Sequence, residues 1–291
     1  MEYNDLKEYI KRKGGKSFDD SSHDLEQLIK EVSIEDTISI ISEIGIIPED
    51  IEHDSSEEKL YTKASEIFFA KALHEMNFNV VVMKGRSNCA DIIAQSKYHN
   101  YSLVGDAKSF RLSRTAKNQK DFKVESMSHW RGDNDYAVLV CPYYQYPKSS
   151  SQVFRSALNE NISLFSWEYL NMLLQMGIKE NENVNLKDLW NQSEIIASHT
   201  TVGNSSKCFF KEQNANIMNM FRISDEVFSR FFDLVKESII NRGNSEISFY
   251  QQEIGRIKSL SREDAIKELL VSSKIESKIN TINNFIKQIA K

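Results

Sequence analysis

YSLVGDAKS, residues 101 to 109, is a short apolar run that closes on an acid, a small residue and a lysine. Its composition reads as a strand. Period two then sets Asp106 and Lys108 on the face of Val104, opposite Leu103 and Ala107. Four similar runs lie around it: FNVVVMK (78–84), CADIIA (89–94), YAVLVCP (136–142) and NISLFSW (161–167). Upstream, Leu25, Leu28, Ile29 and Val32, then Ile38, Ile40 and Ile41, recur at helical spacing and predict helices between 20 and 45, with Gly45 as a stop. A further helix is expected from Ser56 to Met76, opened by the capping-box pair Ser55 and Glu58. Beyond Ser166 the texture is helical again, through Leu174, then at 225–240 and 261–273, with a polar connection around 179–207. The expected fold is α/β of the mixed α+β kind, a central mixed five-stranded sheet flanked by many helices.

The 291 residues are read as one elaborated domain: N-terminal helices at 1–77, a sheet core at 78–170 and a helical region at 171–291. Apolar residues at 40% and charged residues at 27% exclude wholesale disorder, and 10 Gly with 3 Pro leave few turns, so long helices follow. The formal charge of −5 means that a polyanion must be met by a local patch, not by the field of the whole protein. Cys89, Cys141 and Cys208 show no C-x-x-C spacing, which fits a reducing compartment and offers no zinc site. The charged start lacks an apolar leader and no run of eighteen apolar residues exists, so a cytoplasmic protein without a membrane partner is expected.

KGGKS (13–17) ends like a phosphate-binding loop, but Ile10 stands where that loop needs glycine. The six histidines form no HExxH and no His/Cys grouping. Acid-x-lysine triplets are informative only by context. Those at Asp5, Glu57 and Glu276 sit in helical, charge-rich surroundings and that at Asp121 in a polar segment, whereas Asp106/Lys108 ends a strand.

Fifteen residues before Asp106, Asp91 stands at the front of another strand run. Two neighbouring strands could thus unite two carboxylates and one ammonium. Phosphodiester hydrolysis asks for such a set: hard oxygen ligands for Mg2+ from Asp91, Asp106 and the backbone carbonyl of Ala107, with Lys108 beside the attacking water. Glu66 on the preceding helix is a weaker metal candidate, with an ion pair to Lys63 as the competing reading. For Asp106 and Lys108 the competing reading is a strand-end salt bridge. The following segment, KSFRLSRTAKNQKDFK (108–123), carries six cations against the single acid Asp121, a net of +5 inside an acidic chain. Its Ser109, Ser113, Thr115, Asn118 and Gln119 could donate to phosphates or read base edges, so a polyanion ligand is favoured over a solvated charge run.

GDAKSFRLSRTAKNQKDFKV (105–124), SHWRGDNDYAVLV (128–140), QYPKSSSQVF (145–154), LFSWEYL (164–170) and EKLYTKASEIFFAKA (58–72) together resemble the HindIII family of type II restriction endonucleases, within the PD-(D/E)XK nuclease superfamily. The resemblance covers most of the first 170 residues. It implies a restriction-endonuclease-like sheet and a homodimer that cuts both strands of palindromic double-stranded DNA with Mg2+, Mn2+ being a substitute. It also implies the site 5′-AAGCTT-3′, cut after the first A to leave a 5′-phosphate. Asp91 takes the place of the first metal-binding aspartate, and Asp106 with Lys108 forms the D-x-K half, although Ala90 stands where the superfamily has proline. Asn118, Gln119, Lys120 and Asp121 are the expected base readers, and Arg111, Arg114, Lys117 and Lys123 the expected phosphate contacts within the reading segment 109–124. A cognate DNA methyltransferase is the expected functional companion. Two rival readings are a structure-selective repair or recombination nuclease of the same fold, and a non-catalytic DNA-binding protein in which Asp91 and Asp106 are ordinary strand-end acids.

Overall fold

A computed structural model of the chain describes residues 1–84, 88–114, 119–147, 151–199, 206–273 and 278–283. Three helices come first, α1 (Tyr3–Lys13), α2 (Phe18–Lys30) and α3 (Ile34–Ile44). α3 ends at Gly45, the expected stop. Next is α4 (Ser56–Glu75), where the Ser55 hydroxyl accepts the Glu58 amide at 3.0 Å, while the reciprocal half of the expected capping box does not form, because the Ser55 amide donates to the Glu52 carbonyl and the Glu58 carboxylate takes the Asp54 amide. Leu60, Tyr61, Ala64, Ile67, Phe68, Phe69, Ala72 and Leu73 bury much of its circumference, so it is a core helix with little amphipathic character.

The five expected strands are present: β1 (Phe78–Val82), β2 (Ile92–Ser96), β3 (Ser102–Ala107), β4 (Tyr136–Cys141) and β5 (Ile162–Ser166). They form one sheet in sequence order. β1 and β2 are antiparallel, as are β2 and β3, whereas β3, β4 and β5 run parallel, so the sheet is mixed as expected. β4 and β5 are almost wholly buried, which is the pattern of strands covered on both faces. α5 (Gln119–Phe122) and α6 (Val124–Arg131) follow the reading segment, and α7 (Gln152–Glu160) precedes β5. α4 packs along β1, β2 and β3, α6 along β3 and β4, and α7 on β5.

Gly105 marks the closest approach in this core. A side chain there would stand 2.4 Å from the Phe69 ring, so glycine is what lets α4 lie against β3. Asp106, next along the strand, is 1% exposed.

After β5 come α8 (Trp167–Gln175), α9 (Lys187–Trp190), α10 (Gln192–His199), α11 (Ser206–Phe221), α12 (Asp225–Ser259) and α13 (Arg262–Ser272). Among its described residues, the connection read as polar at 179–207 holds the short helices α9 and α10, where the Leu186, Leu189, Trp190 and Ile196 side chains are buried. The helix expected at 225–240 runs on to Ser259. Gly243 does not end it, since a mid-helix glycine costs only about 1 kcal/mol. The Arg242–Glu246 pair at 2.6 Å straddles that point.

The chain divides into two compact units, Met1–Ile239 and Ile240–Lys291. In the second, Arg256 binds Glu268 at 2.6 Å, and the Ser261 hydroxyl caps α13 through the Asp264 amide. No described helix is long and apolar enough to cross a membrane.

Candidate active site at the strand ends

Asp91 stands one residue before β2, with its backbone already in the sheet: its amide donates to the Gly105 carbonyl at 2.9 Å, and its carbonyl accepts the Met83 amide at 2.8 Å. Its side chain turns across to β3, where Oδ2 accepts the Ala107 amide at 2.7 Å. The Lys108 amide donates to the Val140 carbonyl at 2.7 Å, so β4 fixes the lysine backbone where β3 ends. The Lys108 ammonium forms an ion pair with Asp106 Oδ2. Both readings of the triplet are therefore compatible: the salt bridge exists, and it lies beside Asp91.

The electrostatics show how close these groups are. Burial, then the carboxylates of Asp106 and Glu66, push Asp91 well above the ordinary aspartate range, against the pull of Lys108 and the Ala107 amide. Burial also raises Glu66; its pair with Lys63 opposes this and Asp106 adds to it. For Lys108, burial pulls downward, but Asp106, Asp91 and Glu66 outweigh it, so its pKa lies above the usual lysine value. Three acids, Lys108 and the Lys63 partner of Glu66 thus lie in one poorly solvated region.

The donor set fits a divalent cation of the Mg2+ type. All candidate ligands are hard oxygens. Asp106 is almost wholly buried and its Oδ2 is matched by the Lys108 ammonium, while Asp91 and Glu66 are raised first by burial and then, for each, by the nearby Asp106 carboxylate. Glu66 is held toward Lys63, whose ammonium donates to its Oε2 at 2.6 Å and to the Met83 carbonyl at 3.1 Å. Among the described residues the group of three possible ligands whose donor atoms all fall within 4.8 Å is elsewhere, at His53, Asp54 and Glu58, largely exposed.

The basic segment is less free than its composition suggests. Arg111, expected at a phosphate, is committed inside the fold: Nε and Nη2 donate to Glu58 Oε1 at 3.1 and 2.8 Å, and Nη1 donates to the Pro48 carbonyl at 2.8 Å. A buried guanidinium needs such partners because its desolvation is costly. Arg114 pairs with Asp121 at 2.5 Å and lies over the Phe110 ring. Gln119 donates to Glu125 at 2.8 Å and to the Ser156 hydroxyl at 3.3 Å. Lys120 is exposed, and Lys123, in the left-handed region at φ 48°, places its ammonium over the Trp130 ring. Lys117 and Asn118 lie outside the described residues.

One supporting residue had no signal in the sequence. The Trp167 indole donates to the Lys108 carbonyl at 2.9 Å, and its ring meets Phe69 edge-on at 6.3 Å. A contact across 59 residues leaves no local pattern to read.

Residues 4–286 match the HindIII restriction endonuclease family. The chain is 41% identical over 272 residues to the type II restriction enzyme HindIII of Haemophilus influenzae, covering 94% of this chain and 91% of that one. Among solved structures, similarity is found to the restriction endonuclease FokI, with 10% identity and a TM-score of 0.38 over 62% of this chain and 33% of that one. It is also found to the small subunit of the heterodimeric restriction endonuclease R.BspD6I, with 12% identity and a TM-score of 0.38, covering 62% and 98%.

Proposed function

The chain belongs to the HindIII restriction endonuclease family and is a site-specific deoxyribonuclease, and on that footing we propose that it is a Mg2+-dependent enzyme that hydrolyses both strands of a palindromic duplex. The proposed site is 5′-AAGCTT-3′, cut after the first A. The observation that carries the reading is the approach of Asp91 and Asp106, with Lys108, where β2 begins and β3 ends: Asp91 is bonded to the Ala107 amide and Asp106 to the Lys108 ammonium.

Asp91, Asp106 and the Ala107 carbonyl would hold the metal, with Glu66 as a further acid nearby and Mn2+ as a substitute ion. The bound ion would supply Lewis-acid polarisation of the scissile phosphate and a water of lowered pKa. The chain's own residues provide the positioning. The Ala107 amide fixes the orientation of the Asp91 carboxylate through Oδ2. Lys108, anchored through its backbone by Val140 and Trp167, directs an ammonium to the developing negative charge and to the attacking water.

DNA would be engaged by the 109–124 segment, with Asn118, Gln119, Lys120 and Asp121 reading bases and Arg114, Lys117 and Lys123 holding phosphates. A palindrome calls for two-fold symmetry, so the acting form would be a homodimer with one site per subunit, each set out by the whole chain. A cytoplasmic setting, shared with a methyltransferase that protects the host site, follows from this activity.

The test is digestion of a plasmid of known sequence with and without Mg2+, followed by sequencing of the fragment ends. Discrete Mg2+-dependent fragments whose ends all map to AAGCTT support the proposal. Cuts elsewhere reject the site, and absence of cutting rejects the metal-dependent activity.

A further inference from the structure

Residues 110–113 form the root of the reading segment, and the 46–58 stretch fastens them. The Ile47 amide donates to the Phe110 carbonyl at 3.2 Å, and Ile46 and Phe110 form a parallel bridge. One carboxylate, Glu49, receives both the amide and the hydroxyl of Ser113, at 3.0 and 2.9 Å. Another, Glu58, takes two Arg111 donors, while the third nitrogen of that guanidinium goes to Pro48 and lies 3.8 Å from Glu49. The side chains of Arg111, Glu49 and Glu58 are 13%, 2% and 15% exposed. Glu58 also sits in the first turn of α4, and Glu66 of the acid cluster lies eight residues, or about 12 Å of helix rise, further along the same rod.

We propose that Arg111, Glu58 and Glu49 form an internal lock that sets the reading segment against α4, so that Arg111 is a positioning residue for sequence-specific cutting and not a DNA phosphate contact. This rests on the reading that segment 109–124 engages DNA. The chemistry favours a lock because a bidentate grip on phosphate needs a guanidinium edge free to turn to solvent, whereas each of the three nitrogens already donates to protein, two of them to one carboxylate. Removing Glu58 leaves Arg111 with the Pro48 carbonyl and Glu49 at 3.8 Å, and removing Arg111 leaves Glu58 with His53 and the Asp54 amide; either loss takes away the two-pronged contact that joins the segment to α4, so the two residues act as a unit. The consequence is mechanical. Rotation or slippage of the segment root is transmitted to a helix that also carries a side chain of the acid cluster, and displacements of an ångström are enough to cost two orders of magnitude in rate.

The test uses the full chain and compares wild type with Glu58→Gln, Arg111→Gln and the double variant. Binding to a duplex carrying the wild-type cleavage site is measured against salt concentration without divalent metal, and cutting is compared on that site and on a single-mismatch site. The lock predicts that each single variant loses about tenfold or more in cognate cutting and discriminates less well. It also predicts an unchanged salt slope of binding and a double variant no worse than the singles. A salt slope that shrinks by about one for Arg111→Gln marks a phosphate contact and overturns the proposal. So does cutting with normal discrimination in the single variants. Arg111→Lys, which keeps the charge but loses the planar fork, provides the same readout if the glutamine variants fail to fold. Should the wild-type chain make no discrete fragments, the functional reading fails, while the salt slope still decides whether Arg111 meets phosphate.

Discussion

The carboxylate of Asp91 accepts the backbone amide of Ala107 at 2.7 Å, tying the entry to β2 to the last residue of β3. This bond spans 16 residues and brings Asp91 beside Asp106 and Lys108. It uses one of the lone pairs that the Asp91 carboxylate offers and fixes the orientation of the group.

Gly105→Ala tests the packing that brings α4 to the site. The added methyl would lie 2.4 Å from Phe69, deep in the core. Overpacking of this kind costs about 1–3 kcal/mol. Urea denaturation should show that loss, and an unchanged midpoint would mean that α4 yields more easily than its burial implies.

Trp167→Phe should preserve most of the ring packing on Phe69 while removing the donor to the Lys108 carbonyl. The stability cost should be about 1 kcal/mol. Single-turnover cleavage should fall roughly tenfold, because the lysine backbone loses an anchor. An unaltered rate would show that β4 alone holds Lys108.

Glu168 gives the clearest pH prediction. Burial raises its pKa from 4.5 to about 7, opposed by the Tyr143 amide, which donates to Oε2 at 2.9 Å. Between those values the folded state holds a proton that the unfolded state has released, so stability falls as pH rises through this window. The full effect is on the order of 3 kcal/mol, complete by about pH 8 and absent below pH 4. Glu168→Gln keeps an acceptor for the Tyr143 amide and should flatten this part of the profile, raising stability at pH 8. Melting curves at pH 4, 6 and 8 check it; parallel profiles for both proteins would contradict it.

The strands were readable because each is a short apolar run bounded by polar residues, and burial on both faces preserves that signal in β4 and β5. The opening of α4 was readable from Ser55, whose cap is a local bond, whereas the Glu58 half of the capping box was not, since that carboxylate is drawn to Asp54 and Arg111. Asp106 and Lys108 were readable because strand period two is enough to place them. The fate of the basic run was not. The partners of Arg111, Glu58 and Glu49, lie 53 and 62 residues away, so a net charge counted along the segment cannot tell a buried pair from a free cation. The edge of β2 was misjudged by two residues at its far end, where it runs on to Ser96; that serine is buried and hydrogen-bonded to Glu180 across 84 residues.

The most direct test of the central claim is single-turnover hydrolysis of a duplex containing AAGCTT across a Mg2+ titration, for wild type, Asp91→Asn, Asp106→Asn and Lys108→Ala. Each substitution should lower the rate at saturating Mg2+ by about a thousandfold or more while gel-shift affinity for the duplex stays within a few-fold of wild type. Wild-type hydrolysis should vanish in chelator. If any one of the three variants cuts at the wild-type rate, the strand-end site is not the place where the phosphodiester bond is broken.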